Sequence, residues 1–399
     1  MRDYLTILGA GLAGSEAAWQ AAERGVSVVL YEMRPVKPTP AHKTDHCAEL
    51  VCSNSLGNNQ SPSAPHLLKE ELRKFNSLVI DAGDTHAVPA GAALAVDREL
   101  FSKKITEQLL KHPNITLIRE EVTEIPSESP VIVATGPLTS PRLSESISRL
   151  IGQEYLYFYD AISPIVDANT INYDKTFFAS RYDKGTDDYL NCPLNEGQYY
   201  SLVNELKNGE KVPFKSFEKP IYFEGCMPVE ELAMRGDKTL AFGPLKPVGL
   251  LHPETKEQFY AVVQLRHENK EGTAFNLVGF QTKLTYPEQK RVIRLIPGLE
   301  NVEFFRFGAI HRNTYINAPD VLSCELDLKK NSGIYFAGQI IGVEGYVESV
   351  SMGLLAALSA VKRIKGEVYS TPPVDTALGS LLKYVTETRR QSFQPMNIN

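Results

Sequence analysis

Six residues, Gly9-Ala10-Gly11-Leu12-Ala13-Gly14, constrain this chain more than any others. They follow the apolar run YLTILG, which reads as a short buried strand, and open an alanine-rich helix that ends at Gly25. VSVVLYE then reads as a second strand ending in Glu32, so the glycines occupy the turn of a strand–turn–helix–strand unit. In that setting Gly9 allows the tight turn, Gly11 lets backbone approach a pyrophosphate, and Gly14 lets helix and strand pack closely. Leu12 and Ala13 open the helix, whose first N–H groups and dipole favour phosphate. Glu32, eighteen residues after Gly14, is placed to accept hydrogen bonds from ribose hydroxyls.

Both FAD and NAD suit this unit. Two later stretches favour FAD by analogy with two-dinucleotide flavoproteins. VIVATG brings a second strand and Thr135-Gly136 beside the cofactor, and FAGQIIGVEGYVES sets Gly338 and Gly345 before a helix at the flavin end.

The intervening sequence divides by character. HLLKEELRKF and VDRELFSKKITEQLLK have helical spacing, whereas SLVID and ITLIREEVTEI read as strand pieces. From about 150 to 310 the chain is rich in Tyr, Phe and Pro, and AVVQLRHENKEGTAFNLVGFQT reads as a hairpin. The expected architecture is α/β. A Rossmann-like FAD-binding domain of the two-dinucleotide type is formed by 1–145 and 316–399, with an α+β domain, 146–315, inserted on the substrate and RNA side.

With 43% hydrophobic and 23% charged residues over 399 positions, the composition is that of a globular protein. A net charge of −6 disfavours indiscriminate nucleic-acid binding while leaving room for a local basic groove. Neither a secretory signal nor a membrane-spanning run is visible, and no membrane association is expected. The odd, scattered set Cys47, Cys52, Cys192, Cys226 and Cys324 suits reduced thiols in the cytoplasm.

Cys52 stands in LVCSNSLGNNQSP, a polar loop unsuited to helix or strand, where a thiol is an accident, a metal ligand or a reagent. Zinc could be read from Cys47 and Cys52 with His42 and His46, yet the spacing matches no standard zinc module, and no metal is expected. Cys226, in FEGCMPVEE, has a plain reading as a small buried residue at a strand end. Cys192 has the same reading, and Cys324 that of inert packing in a strand.

From Leu5 to Met396, in order, the motifs GAGLAGSEAAWQAAERGVSVVLYEMRPVKPTPAH, AELVCSNSL, VPAGAALAVDRELF, ATGPLTSP, SRYDKG, YLNCP, FEGCMPVEELAMRG, FGPLKPVGL, HRNTYINAP and FAGQIIGVEGYVES resemble those of the bacterial folate- and FAD-dependent tRNA (uracil-5-)-methyltransferases. That resemblance implies methylation of uracil C5 in the tRNA T-loop. It further implies methylenetetrahydrofolate as carbon donor and FAD reduced by NADH or NADPH. It places the two functional thiols on Cys52 and Cys226, leaves Cys47 outside the motif, and puts the nucleotide fingerprint on Gly9 to Gly14. Ala92 stands where the family usually repeats glycine. Relatives continue beyond FQPMNIN, and a related group of these flavoproteins acts on ribosomal RNA, so a ribosomal RNA uridine is the alternative target.

The implied chemistry explains the parts. A thiolate adding to uracil C6 makes C5 nucleophilic, and cysteine both attacks and leaves readily. The donor carbon is at the formaldehyde level, so a methyl product needs two electrons, which a reduced flavin supplies while N5 carries the carbon. On this reading Cys226 attacks C6, and Cys52 removes the C5 proton or transiently holds the carbon from a mobile loop. The nucleophile is expected to owe its thiolate to a nearby cation or helix N-terminus. Lys283, Lys290, Arg291, Arg294, Arg306 and Arg312 are candidate phosphate contacts, with FFRFG and HRNTY offering rings for an extruded base. The competing functions are a flavin-dependent NAD(P)H thiol oxidoreductase, against which the lack of a CxxC pair counts, and a non-enzymatic RNA-binding flavoprotein. The oligomeric state is left open.

Overall fold

The computed structural model describes residues 4–127, 130–183, 186–213, 221–387 and 393–398. Lys184 and Gly185 of SRYDKG lie outside them. β1 (Tyr4–Leu8) leads through Gly9 into α1 (Leu12–Glu23) and back through β2 (Ser27–Glu32), which pairs in parallel with β1. Around this unit a six-stranded sheet runs Asp327–Leu328, Asn331–Phe336, Val131–Val133, β1, β2, Ile115–Arg119. All its pairings are parallel except that of the outermost Asp327–Leu328. Both ends of the chain therefore build one sheet. Its central strands are apolar at almost every position, as burial on both faces requires.

A second, antiparallel six-stranded sheet uses only the middle of the chain, in the order Phe177–Phe178, Tyr189–Leu194, Ala261–His267, Ala274–Leu277, Ile165–Asp167, Phe304–Arg306. The expected hairpin is its Ala261–His267/Ala274–Leu277 pair. The sheet has its own apolar core, covered by the helix Glu196–Asn208. Between the two sheets, Leu156–Ala161 pairs antiparallel with Ile310–Tyr315, the two strands by which the chain leaves and rejoins the parallel layer.

α1 is gripped from two sides. A Cβ on Gly14 would lie 1.8 Å from the Gly9 carbonyl oxygen, and one on Gly353, in the long helix Tyr346–Ile364, would lie 2.2 Å from the Ala13 oxygen. Only glycine permits either approach.

Three local expectations are corrected. SLVID is not a strand but the start of the helix Leu78–Thr85. The Ser77 hydroxyl oxygen accepts the Ile80 N–H, and the Glu16 carboxylate accepts both the Ser77 O–H (2.9 Å) and the Val79 N–H (3.2 Å). Capping thus overrides β-branched content. The strand in ITLIREEVTEI stops at Arg119, where the parallel partner β2 ends. Cys324 lies exposed in a turn, with Ser323 hydrogen-bonded to Asp327 beneath it, rather than packed in a strand.

Two stability outcomes follow from this packing. Gly353→Ala should cost ~1–3 kcal/mol or more in denaturant unfolding, because the new methyl meets backbone. Gly197→Ala, whose methyl meets only ordinary contacts on a helix, should gain ~0.5–1 kcal/mol. Glu16 provides a pH test. Burial pushes its carboxyl up to about 7 against hydrogen bonds from Gln20, Val79 and Ser77 that pull it down. Its folded value exceeds the ordinary 4.5, so its contribution to stability is complete below that pH and is lost as pH rises through 7. Unfolding free energies of Glu16→Gln measured across that window should lack this decline.

Candidate active site

At the carboxyl ends of β1, β2 and Val131–Val133 lies a cleft of about 1070 Å³, the place where open parallel sheets take ligands. Gly9, Gly11, Leu12, Ala13, Glu32, Thr135 and Gly136 border it, and Gly338 borders it from the other chain end. Nothing lies within 4 Å of a Cβ built on Gly11, and no side chain caps α1, so the first amides of that helix face open space. This cradle fits a dinucleotide pyrophosphate.

The remaining expected residues act differently. Ala10 and Gly14 sit behind the cleft. The Ala10 N–H donates to Glu32 Oε2 (3.0 Å), and Gly14 packs on Gly9. Glu32 Oε1 accepts from the Arg34 backbone (3.0 Å) and from its Nε (2.9 Å). Burial opposes the Glu32 charge, but the hydrogen bonds and charge of Arg34 outweigh it and hold the carboxyl below its usual range. Glu32 thus clamps the glycine turn as well as facing the cleft, with lone pairs left for a ribose. Gly345 precedes the helix Tyr346–Ile364 at φ +122° and does not border the cleft, whereas its neighbour Tyr346 does.

Cys52 and Cys226, 174 residues apart, meet beside this cleft. Their sulfurs and a carboxylate oxygen of Asp160 all lie within 4.8 Å of one another. Cys226 closes a 3-10 turn, Glu224–Cys226, rather than a strand, and Asp160 comes from Leu156–Ala161. The Cys52 loop is tied down, contrary to the expected mobile segment. The Tyr346 hydroxyl accepts the N–H groups of Cys52 (2.8 Å) and Ser53 (3.2 Å). Arg98 donates to the Leu50 oxygen (2.5 Å), and Arg306 to those of Val51 (2.7 Å) and Cys52 (3.3 Å).

The electrostatics differ between the two thiols. Arg98 and Arg306 bring two cations to the Cys52 loop. Cys226 has no such neighbour among the groups that shift it. Its hydrogen bond to Cys52, burial, and the negative groups Asp160, Cys52 and Glu344 push it well above the ordinary thiol range. The expectation of a cation-stabilised thiolate therefore fails for Cys226, because the charges around it are anionic. Burial raises Asp160 to about 6, with Cys226 and Asn313 pulling it down, and raises Glu344 well above the ordinary carboxyl range, helped by the charge of Asp160.

Other thiols and histidines do not converge. Burial pushes Cys47 up to about 11, and its N–H donates to Thr106; His42 faces Thr39, and His46 faces Ser102. Cys192 is buried in the antiparallel sheet.

The candidate phosphate contacts are largely engaged. Lys283 is buried against Glu231 (2.6 Å) and Tyr222, and Arg306 holds the Cys52 loop, so both are internal ties rather than surface cations. Arg291 pairs with Glu288 and Glu205, and Arg294 and Lys290 with Glu303. Arg312 is exposed over the Tyr157 ring. Of the aromatic residues, Tyr315 is core and Phe305 is exposed. Sequence reasoning missed Asp160, Glu344, Tyr346 and Arg98. Only Glu344, an acid between the glycines of GVEGY, carried a local signal.

A family model described as glucose inhibited division protein A matches residues 4–368. The chain is 59% identical over 395 residues to the methylenetetrahydrofolate--tRNA-(uracil-5-)-methyltransferase TrmFO of Natranaerobius thermophilus, covering 99% of this chain and 91% of that protein. It is 55% identical over 395 residues, with the same coverage, to the protein of that name from Bacillus subtilis. Among solved structures, Aquifex aeolicus GidA superposes with a TM-score of 0.76 at 18% identity, covering 99% of this chain and 71% of that one, a likeness of fold.

Alkylation should report the thiol environments. With iodoacetamide at neutral pH, peptide mapping should find Cys324 modified first, and Cys47 and Cys192 modified only after unfolding. Cys226 labelling should climb as pH rises past 9, the ordinary thiol value. Native Cys192 reacting as fast as Cys324 would contradict the placement.

Proposed function

The chain belongs to the glucose inhibited division protein A family, and within it to the methylenetetrahydrofolate--tRNA-(uracil-5-)-methyltransferases; on that premise we propose that it transfers a one-carbon unit to C5 of a T-loop uridine in tRNA, giving 5-methyluridine. The carbon comes from methylenetetrahydrofolate, FAD occupies the cleft, and NADH or NADPH is the reductant. The observation that carries this reading is the meeting of Cys52 and Cys226 at the cleft edge bordered by Val51 and Tyr346.

FAD, when bound, would supply the two electrons that convert the donor carbon to a methyl group. The α1 N-terminus and Gly11 would hold its pyrophosphate, and Glu32 would accept from its ribose. The Cys226 sulfur adds to uracil C6, leaving C5 electron-rich. Cys52, beside Arg98 and Arg306, accepts the C5 proton once the carbon is attached, and Cys226 then departs. Residues 146–315 form the RNA side as an insert between 1–145 and 316–399. The target uridine lies in a folded loop and must be extruded to reach the sulfurs. No helix among the described residues is long and apolar enough to cross a membrane. A tRNA substrate and five free cysteines fit the reducing cytoplasm.

The test supplies methylenetetrahydrofolate, NADPH or NADH, and unmodified tRNA or ribosomal RNA transcripts to the purified flavoprotein, and reads methyluridine by mass. Methyluridine should appear in the tRNA T-loop. Cys226→Ala and Cys52→Ala should each reduce it by at least ~100-fold. Full activity in Cys226→Ala removes that residue from its role, and product only in ribosomal RNA moves the target.

A further inference from the structure

Two protons must be stored during the reaction just proposed, and the two cysteines can store only one. Addition of Cys226 to C6 breaks its S–H bond while S–C6 forms, so that proton needs an acceptor. Later the C5–H bond breaks, and its proton goes to Cys52. If Cys52 took the first proton, it could not take the second while the adduct stands. A further acceptor must therefore touch Cys226.

We propose that Asp160 is that acceptor, a catalytic base that takes the Cys226 thiol proton during addition and returns it when the sulfur leaves. The inference rests on the methyltransferase reading. Its geometry is specific. Asp160 is about nine-tenths buried on Leu156–Ala161, with an oxygen within 4.8 Å of both sulfurs. Its Oδ1 is fully buried and has no hydrogen-bond partner, so basic capacity is left over. The groups facing it are Cys226 from the Glu224–Cys226 turn, Cys52 from the tied loop, Glu344 from the turn before Tyr346, and Asn313 from the paired strand, where His311 is its register partner. Glu344 is the one other carboxyl among them, and burial keeps it protonated far above its ordinary range. Asp160, near 6, is ionised at neutral pH and still basic enough to take a proton. Both charges balance. The carboxylate becomes carboxylic acid as the ring becomes an enolate, and the reverse occurs on elimination.

The test separates this step from carbon transfer. Wild-type flavoprotein, without folate, is given tRNA carrying tritium at uridine C5, and tritium release to water is followed. Release needs C6 addition, a proton taken up at C5 in place of the donor carbon, and a base that then removes the tritium, but no folate. Asp160→Asn should slow it by about 100-fold or more, with flavin content and tRNA affinity unchanged, and Asp160→Glu should restore part of the rate. Iodoacetamide labelling of Cys226 should move the opposite way, becoming faster in Asp160→Asn because a repelling charge is gone. In the wild type, tritium release should fall on acidification through about pH 6, a limb that Asp160→Asn lacks. This measurement stands even if the variant fails to fold. Release within threefold of wild type in folded Asp160→Asn, or a flat wild-type profile between pH 5 and 8, overturns the assignment. If wild type releases no tritium and makes no methyluridine, it is the methyltransferase reading that falls.

Discussion

The closeness of α1 to its neighbours is the constraint from which the rest proceeds. With no Cβ at Gly14 or Gly353, the helix lies against the Gly9 turn on one side and the Tyr346–Ile364 helix on the other. Gly338 approaches the same helix start, where a Cβ would meet that of Ala13 at 2.8 Å. These approaches bring sequence from the two ends of the chain onto one helix terminus. The cleft is what remains between them, bordered by Gly11 from one end and by Gly338 and Tyr346 from the other. A side chain at Gly14, Gly338 or Gly353 would wedge apart the very surfaces that define it.

Around the sulfurs, the protein holds polar groups away from water at some cost to stability. Asp160 and Glu344 are both buried, and the charge of Asp160 makes the ionisation of Glu344 harder still. Nearby cations are spent elsewhere. Arg98 forms an ion pair with Glu268 (3.0 Å) and also grips the Cys52 loop, while Arg34 sits between Glu32 and Glu49. The result is a graded field, cationic at Cys52 and anionic at Cys226, within a few ångströms. Two chemically identical side chains thus stand in different electrostatic surroundings by position alone.

Much of this was legible in the sequence, and for identifiable reasons. The glycine fingerprint and the strand before Thr135 depend on local spacing, which sequence displays directly. Helical period failed at Leu78–Thr85, where a long-range partner, Glu16, reinforces the Ser77 cap that SLVID conceals. Resemblance to a family located Cys52 and Cys226, but their neighbours could not be found that way. Asp160 in YDAIS and Arg98 in VDREL carry no local signal, since they come to lie beside the sulfurs and the Cys52 loop only when strands from the middle of the chain are laid against the parallel layer. Lys283 and Arg306 misled for the opposite reason. A cation in a polar run looks solvent-facing until the acid or carbonyl it serves is seen.

The Cys52 loop has one more implication. Its carbonyls are held by Arg98, from the first third of the chain, and by Arg306, from the edge of the antiparallel sheet, while its amides rest on Tyr346. Three separately anchored struts thus converge on a single sulfur-bearing peptide. Any tilt of one layer against the other would pull on that peptide, and the spacing between the two sulfurs would register the displacement like the needle of a gauge.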